Sequence, residues 1–203
     1  MNRRRLILST GNINKVEEIK DILKDLPLDV LSKKDLGLGS IEVEENGDTL
    51  EENAIIKAKS LANMVDGMVM ADDSGLFVNY LNGEPGVHSA RYAGINARDD
   101  ENNIKLLNRL KGVPLEKRDA YFKTVIVLVT EKGEVITVTG KCEGYIGFEP
   151  KGEEGFGYDP LFVVKGYDKT FAELGEEIKN KISHRARALN KLKIEMKKIL
   201  EDD

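Results

Sequence analysis

Tryptophan is absent from this sequence, cysteine occurs once and histidine twice, and each shortage closes off a class of protein. The lone Cys142 can form no internal disulfide, which excludes a disulfide-stapled secreted scaffold and favours a reducing, cytoplasmic setting. Cys142, His88 and His184 are too few for a structural zinc cluster, so any metal must be held by oxygen. Long apolar runs are also missing. Arg3-Arg4-Arg5 followed by Leu6-Ile7-Leu8 starts like a signal peptide, but the apolar stretch stops at Ser9 and reads as a first β-strand. Val125 to Val129 falls far short of the roughly 20 residues a membrane helix needs, so no membrane segment is expected. With 31 Lys+Arg against 36 Asp+Glu the formal charge is −5, and no arginine-rich block follows residue 5. Binding along a nucleic-acid backbone therefore has no electrostatic basis, and an anionic ligand must be small and locally held. The 203 residues carry no repeat, linker or low-complexity tract and read as one folding unit, 1–203, large enough to bury a core unaided.

Hydrophobic spacing supplies the elements. After the first strand and Thr10-Gly11-Asn12, the residues Val16, Ile19, Leu23 and Leu26 recur at helical spacing until Pro27. Thr49-Leu50-Glu51-Glu52 fits a capping box, opening a helix with Ala54, Ile55, Ala58, Leu61 and Ala62 on its buried side and Asn53 and Lys57 together on another face. Met68 to Ala71 predicts a buried strand ending in the polar loop Asp72-Asp73-Ser74-Gly75. A helix is expected over 99–111 with Ile104, Leu107 and Leu110 inward, then a hairpin of strands 120–130 and 134–139 turning at Lys132-Gly133. A last helix runs from about Ser183, read as its N-cap, with Leu189, Leu192, Met196 and Ile199 as its apolar stripe. The pattern predicts an α/β fold, a mixed sheet flanked by helices.

Four places carry chemistry. Ser9-Thr10-Gly11-Asn12-Ile13-Asn14-Lys15 joins strand to helix, so free N–H groups and the helix dipole face the loop; it serves either as an anion pocket, with Lys15 adding charge, or as an ordinary Asn-capped start. Glu42, Glu44, Glu45, Asp48, Glu51 and Glu52 crowd together, mostly as a solvated loop and helix start. Asp72-Asp73 at a strand end has no evident structural need and fits a hard cation such as Mg²⁺. Gly155-Phe156-Gly157-Tyr158-Asp159-Pro160 offers either aromatic stacking platforms for a base or a turn whose aromatics plug the core. Lys179, His184 and Arg185 gather positive charge around a helix start, where it opposes the dipole and invites a bound anion. His88 is expected to serve its loop. Together these features point to a nucleotide with a polyphosphate chain.

In that order, Thr10-Gly11-Asn12-x-x-Lys15, Asn53-Ala54-x-x-Lys57-Ala58, Ala71-Asp72-Asp73-Ser74-Gly75-Leu76, Pro85-Gly86-Val87-x-Ser89-Ala90-Arg91-Tyr92, Gly155 to Pro160 and Ser183-His184-Arg185 resemble the inosine triphosphate pyrophosphatase family over about residues 6–192. The resemblance implies hydrolysis of ITP, dITP and XTP to monophosphate and pyrophosphate with Mg²⁺, for which Mn²⁺ could substitute. It also implies a homodimer whose subunits have a long twisted mixed sheet and two lobes around a substrate cleft. Thr10, Gly11, Asn12, Ile13, Asn14 and Lys15 would hold phosphates with Lys57. Glu45 and Asp73 would serve the metal, Asp73 also as general base, and Ser74 would touch substrate. Phe156, Gly157, Tyr158 and Asp159 would frame the nucleoside, completed by Lys179, His184 and Arg185. The chemistry suits a chain without a Ser-His-Asp or activated-cysteine arrangement, since phosphoryl-type hydrolysis rests on positioning and charge neutralisation. A pyrophosphatase for modified pyrimidine or methylated nucleotides and a non-catalytic nucleotide sensor are the alternatives.

Overall fold

The computed structural model describes residues 3–41 and 43–201. A six-stranded mixed sheet of order β2-β1-β3-β4-β5-β6 runs through the chain, made of β1 (Arg4–Leu8), β2 (Leu28–Ser32), β3 (Met68–Val78), β4 (Asp119–Val129), β5 (Val135–Ile146) and β6 (Phe162–Val164). The helices are α1 (Ile13–Leu23), α2 (Leu50–Ala62), α3 (Asp99–Arg109), α4 (Phe171–Ile182) and α5 (His184–Glu201). Two compact units form, one from the described residues of 1–73, 124–140 and 185–203, the other from 74–123 and 141–184. Strands β3, β4 and β5 each contribute to both.

In the first unit β1 lies parallel to β2 and to β3, with Leu6 opposite Val30 on one side and Met68 on the other. Alternation along a strand sends successive side chains to opposite faces. Leu6, Leu8, Met68 and Met70 join Val16, Ile19 and Leu23 of α1 and Leu189, Leu192 and Met196 of α5 in one core. Ile7 and Val69 point the other way, against Leu61 of α2. The unit is thus three layers, helix–sheet–helix, and the next residues of β3 inherit the same alternation.

In the second unit Leu76 and Val78 of β3 pack with Leu106 of α3 and its C-cap Leu110, Phe122, Ile146, Phe162 and Phe171. Strand β6 pairs antiparallel with β5, Ile146 opposite Phe162. The Lys132-Gly133 hairpin forms as expected, closed by Gly133 N–H on Thr130 O at 2.9 Å.

Three expectations change. Strand β3 does not stop at the acids: it carries Asp72, Asp73, Ser74 and Gly75 in its middle, because buried cations balance charges that would otherwise force a loop. Ile104 is exposed, whereas Leu106 and Asn102 face inward. On α2 the buried side includes Asn53 and Lys57 themselves. Ser183 closes α4 in extended backbone and also directly precedes α5, at the N-cap position expected of it. The sequence reading contains no helix over 171–182, yet α4 starts with a full capping box, Thr170 with Glu173; Gly175, at φ 77°, ψ 169°, kinks it and breaks the helical periodicity.

Thr170 does more than cap. Its hydroxyl accepts from Glu173 N–H at 3.1 Å and donates to Lys151 O at 2.7 Å, in a 1% exposed position. Thr49 of the α2 box accepts from Glu52 N–H alone. Thr170→Ala should therefore lose about 2 kcal/mol and Thr49→Ala about 1 kcal/mol in urea unfolding.

Candidate active site

The strand-to-helix loop folds as its residues dictate. Asn12 is the N-cap of α1, its Oδ1 accepting from Lys15 N–H at 3.2 Å, while Thr10 Oγ1 accepts from Asn12 N–H at 3.2 Å. Gly11, Asn12, Ile13 and Asn14 are exposed. The first-turn N–H groups of Ile13 and Asn14 have no partner within the helix. The cap and the anion pocket are thus compatible: one orphan donor is satisfied and others face outward.

Lys15 turns away from that loop. Its Nζ lies 2.9 Å from Asp72 Oδ2, which also accepts from Arg185 Nη2 at 3.0 Å. Arg185 Nη1 in turn pairs with Glu18 of α1. Arg185, Asp72 and Glu18 are each more than nine-tenths buried. Burial alone would raise the Asp72 pKa, but Lys15 and Arg185 outweigh it and hold the carboxyl well below the usual range. Burial lowers the Lys15 pKa, only partly offset by Asp72. Burial opposes charge on Arg185 too, but Asp72 and Glu18 together raise its pKa. Glu18 escaped the sequence reading because a glutamate on an amphipathic helix looks like surface; only the fold brings Arg185 to it.

Asp73, the next residue, faces α2. Its Oδ1 accepts from Lys57 Nζ at 2.7 Å, and the same ammonium lies 3.4 Å from Glu45 Oε2. Asp73 Oδ2 is buried with no hydrogen-bond partner among the described residues. Burial pushes the Asp73 carboxyl up, against the pull of Lys57. Burial opposes charge on Lys57, yet Asp73, Asp72 and Glu45 raise its pKa. The backbone around the pair is tied as well, with Ser9 Oγ donating to Lys57 O at 3.0 Å and Thr124 Oγ1 to Asp73 O at 3.1 Å. Of the acidic run, Glu45 alone reaches this cluster among the described residues. Glu51 and Glu52 occupy the first turn of α2, Glu44 and Asp48 are exposed, and Glu42 lies outside the described residues.

In the second unit, Ser74 follows on β3, half-buried. The 155–160 loop divides the two readings of its aromatics. Tyr158 is buried in the core, its hydroxyl donating to Ser89 O at 2.8 Å, so it plugs rather than stacks. Burial drives its phenol pKa upward. Phe156 is half-buried, with the Lys179 ammonium 4.2 Å from its ring centroid. Asp159 ties the loop together: its Oδ2 accepts from Lys179 Nζ at 2.6 Å and from Phe156 N–H at 2.9 Å. A Cβ on Gly155 would stand 2.3 Å from that oxygen, and Gly155 has φ +82°, so only glycine fits. His184 stacks on Phe122 at 4.7 Å with rings 11° apart. The positive charge at the start of α5 therefore needs no anion to explain it: Asp72 and Glu18 balance Arg185, and Asp159 balances Lys179. His88 is exposed, and the side chain that ties its loop is that of its neighbour Ser89, whose Oγ accepts from Leu76 N–H at 2.9 Å and donates to Gly86 O at 2.6 Å.

No group of three or more Asp, Glu, His or Cys gathers as a metal cluster among the described residues, and no helix there is long and apolar enough to cross a membrane. The chain belongs to the Ham1 family, whose sequence model matches residues 6–195. Among its relatives, the dITP/XTP pyrophosphatase of Thermoanaerobacter sp. (strain X514) is 54% identical over 198 residues, 98% of this chain and 99% of that protein. That of Bacillus subtilis (strain 168) is 52% identical over 187 residues, 92% of this chain and 93% of its own. The Staphylococcus aureus Ham1 protein superposes with TM-score 0.84 at 41% identity, covering 96% of this chain and 98% of its own; a Coxiella burnetii HAM1 protein gives 0.85 at 39%, covering 96% and 99%.

The two adjacent acids should respond differently to loss of charge. Asp72→Asn leaves Arg185 and Lys15 short of a buried partner and should destabilise by about 3–5 kcal/mol, while Asp73→Asn should keep the wild-type Tm. Because the folded pKa of Asp72 is depressed, its contribution is present above the unfolded value near ~3.9 and is lost as pH falls below it. Acid unfolding curves should show this loss in the wild type and not in Asp72→Asn.

Proposed function

We propose that this chain hydrolyses the non-standard purine nucleoside triphosphates ITP, dITP and XTP to the monophosphate and pyrophosphate, clearing them from the nucleotide pool. The relatives named above supply the substrate class. The observation that carries the reading is Asp73: one carboxylate oxygen on Lys57, the other buried and bare, with Glu45 on the same ammonium.

That donor set fits Mg²⁺, which is held by one or two protein carboxylates, with water and phosphate completing its shell. In the first unit's clusters Glu18, Glu45, Asp72 and Asp73 face Lys15, Lys57 and Arg185, leaving an excess of negative charge that a cation relieves. Asp73 and Glu45 hold the ion, with Mn²⁺ as a substitute. When bound, Mg²⁺ neutralises phosphate charge and acidifies the attacking water.

The chain's own residues do the rest. The N–H groups of Gly11, Ile13 and Asn14 and the Thr10 and Asn12 side chains cradle phosphate, while Lys15, held on Asp72, adds positive charge behind the loop. Asp73 orients the water and takes its proton as the water attacks the α-phosphorus and pyrophosphate departs. Lys57 holds Asp73 in place and steadies the phosphates. Ser74 and the Phe156–Asp159 loop grip the nucleoside with Lys179 and His184, Phe156 through its ring and Tyr158 through its backbone. Polar groups satisfied by a 6-oxo purine and left unpaired by adenine account for rejection of ATP. A homodimer and a cytoplasmic setting belong to the same reading.

ITP or XTP should yield pyrophosphate, with turnover far above that on ATP; orthophosphate as the first product would overturn the bond assignment. EDTA should abolish the activity and Mg²⁺ or Mn²⁺ restore it. Asp73→Asn, still folded, should lose on the order of a hundredfold or more in kcat.

A further inference from the structure

Gly157 is held from outside its own loop at both of its backbone polar groups. Its N–H donates to Asp99 Oδ2 at 2.7 Å and its carbonyl accepts from Asn103 Nδ2 at 2.9 Å. The two side chains stand four residues apart on α3, so they share one face of the helix and meet the same residue of the loop. Gly157 has φ +62°, and a Cβ there would meet nothing within 4 Å, so packing does not set its position. The two hydrogen bonds do.

The far end of α3 is anchored independently. Arg118, 2% exposed, donates through Nη1 to Leu110 O at 3.0 Å, through Nε to Ile146 O at 2.7 Å and through Nη2 to Gly147 O at 2.6 Å. The base of the loop closes there, Gly147 N–H reaching Leu161 O at 2.8 Å. Thus α3 is fixed to the root of the loop at one end and grips its tip at the other.

The cost of the grip points to its purpose. Asn103 Oδ1 is buried without a hydrogen-bond partner among the described residues, a state that disfavours folding. A residue present only for stability would not strand an acceptor to place its amide on one carbonyl.

We infer that Asp99 and Asn103 are positioning residues for nucleotide recognition: they set the orientation of the Gly157 peptide groups and, through the neighbouring Phe156 and Asp159, the loop that receives the nucleoside. This rests on the reading that residues 156–159 grip the nucleoside, which the experiment tests separately. Steady-state hydrolysis of ITP with Mg²⁺ is measured for the full-length wild type, Asp99→Ala, Asp99→Asn, Asn103→Ala and Phe156→Ala, with Tm recorded for each. Asp99 is exposed, so its variants should fold. If the inference holds, Asp99→Ala and Asn103→Ala raise KM about fivefold or more with kcat within twofold of wild type, because binding is lost equally from ground and transition states. Asp99→Asn keeps an oxygen acceptor for the Gly157 N–H and should restore KM to within twofold of wild type. A KM unchanged in both alanine variants while Phe156→Ala raises it would overturn the positioning role and leave the loop's role intact, as would a lowered Tm with no change in KM. An unchanged KM in Phe156→Ala would remove the nucleoside grip itself, and the inference with it.

Discussion

The constraint on which the first unit depends is the neutralisation of Asp72. A carboxylate in the middle of a buried strand is tolerated only with partners, and this one has Lys15 from α1 and Arg185 from α5, the latter 113 residues away in sequence. Arg185 is too deeply buried to stand on one acid, and Glu18 supplies the second. The same ion network joins both helices of one layer to the central strand. Buried ion pairs gain little net stability over an apolar core, so what this arrangement secures is geometry: α1, and with it the Thr10–Asn14 loop, has a charge-matched seat on β3.

Asp73 uses the same strand for the opposite purpose. Asp72 is surrounded by more positive charge than it needs; Asp73 shares one ammonium with Glu45 and has an oxygen to spare. Two identical residues, adjacent in sequence, thereby acquire opposite pKa shifts because the strand turns them toward different helices. One is fixed as a structural anion and the other is left available for chemistry.

How much of this could be read in advance depended on how local each feature was. The β1–α1 turn, the Thr49 capping box, the Lys132-Gly133 hairpin and the stripe of α5 are written within a few residues of themselves. The continuation of β3 through Asp72-Asp73 was not, since a pair of acids reads as a loop until Lys15, Lys57 and Arg185 arrive from elsewhere in the chain. Helix α4 hid behind Gly175, although Thr170 and Glu173 announced its start. The aromatics at Phe156 and Tyr158 look alike in sequence, and only the core packing and the Ser89 carbonyl separate their roles. Glu18 gave no signal, because nothing within its own helix marks it as the partner of a residue 167 positions on.

The alternation of β3 also makes the strand a register gauge. Deleting one residue between the hydrophobic start of β3 and its acids would turn each carboxylate to the opposite face, taking the first acid from Lys15 and Arg185 and the second from Lys57, while Leu76 and Val78 left their core. Deleting two would restore the facing but draw every group about 6.6 Å along the sheet, beyond the reach of its partner. The eleven residues from Met68 to Val78 therefore act as a fixed ruler, and a change of length is better absorbed in the connections than in this strand.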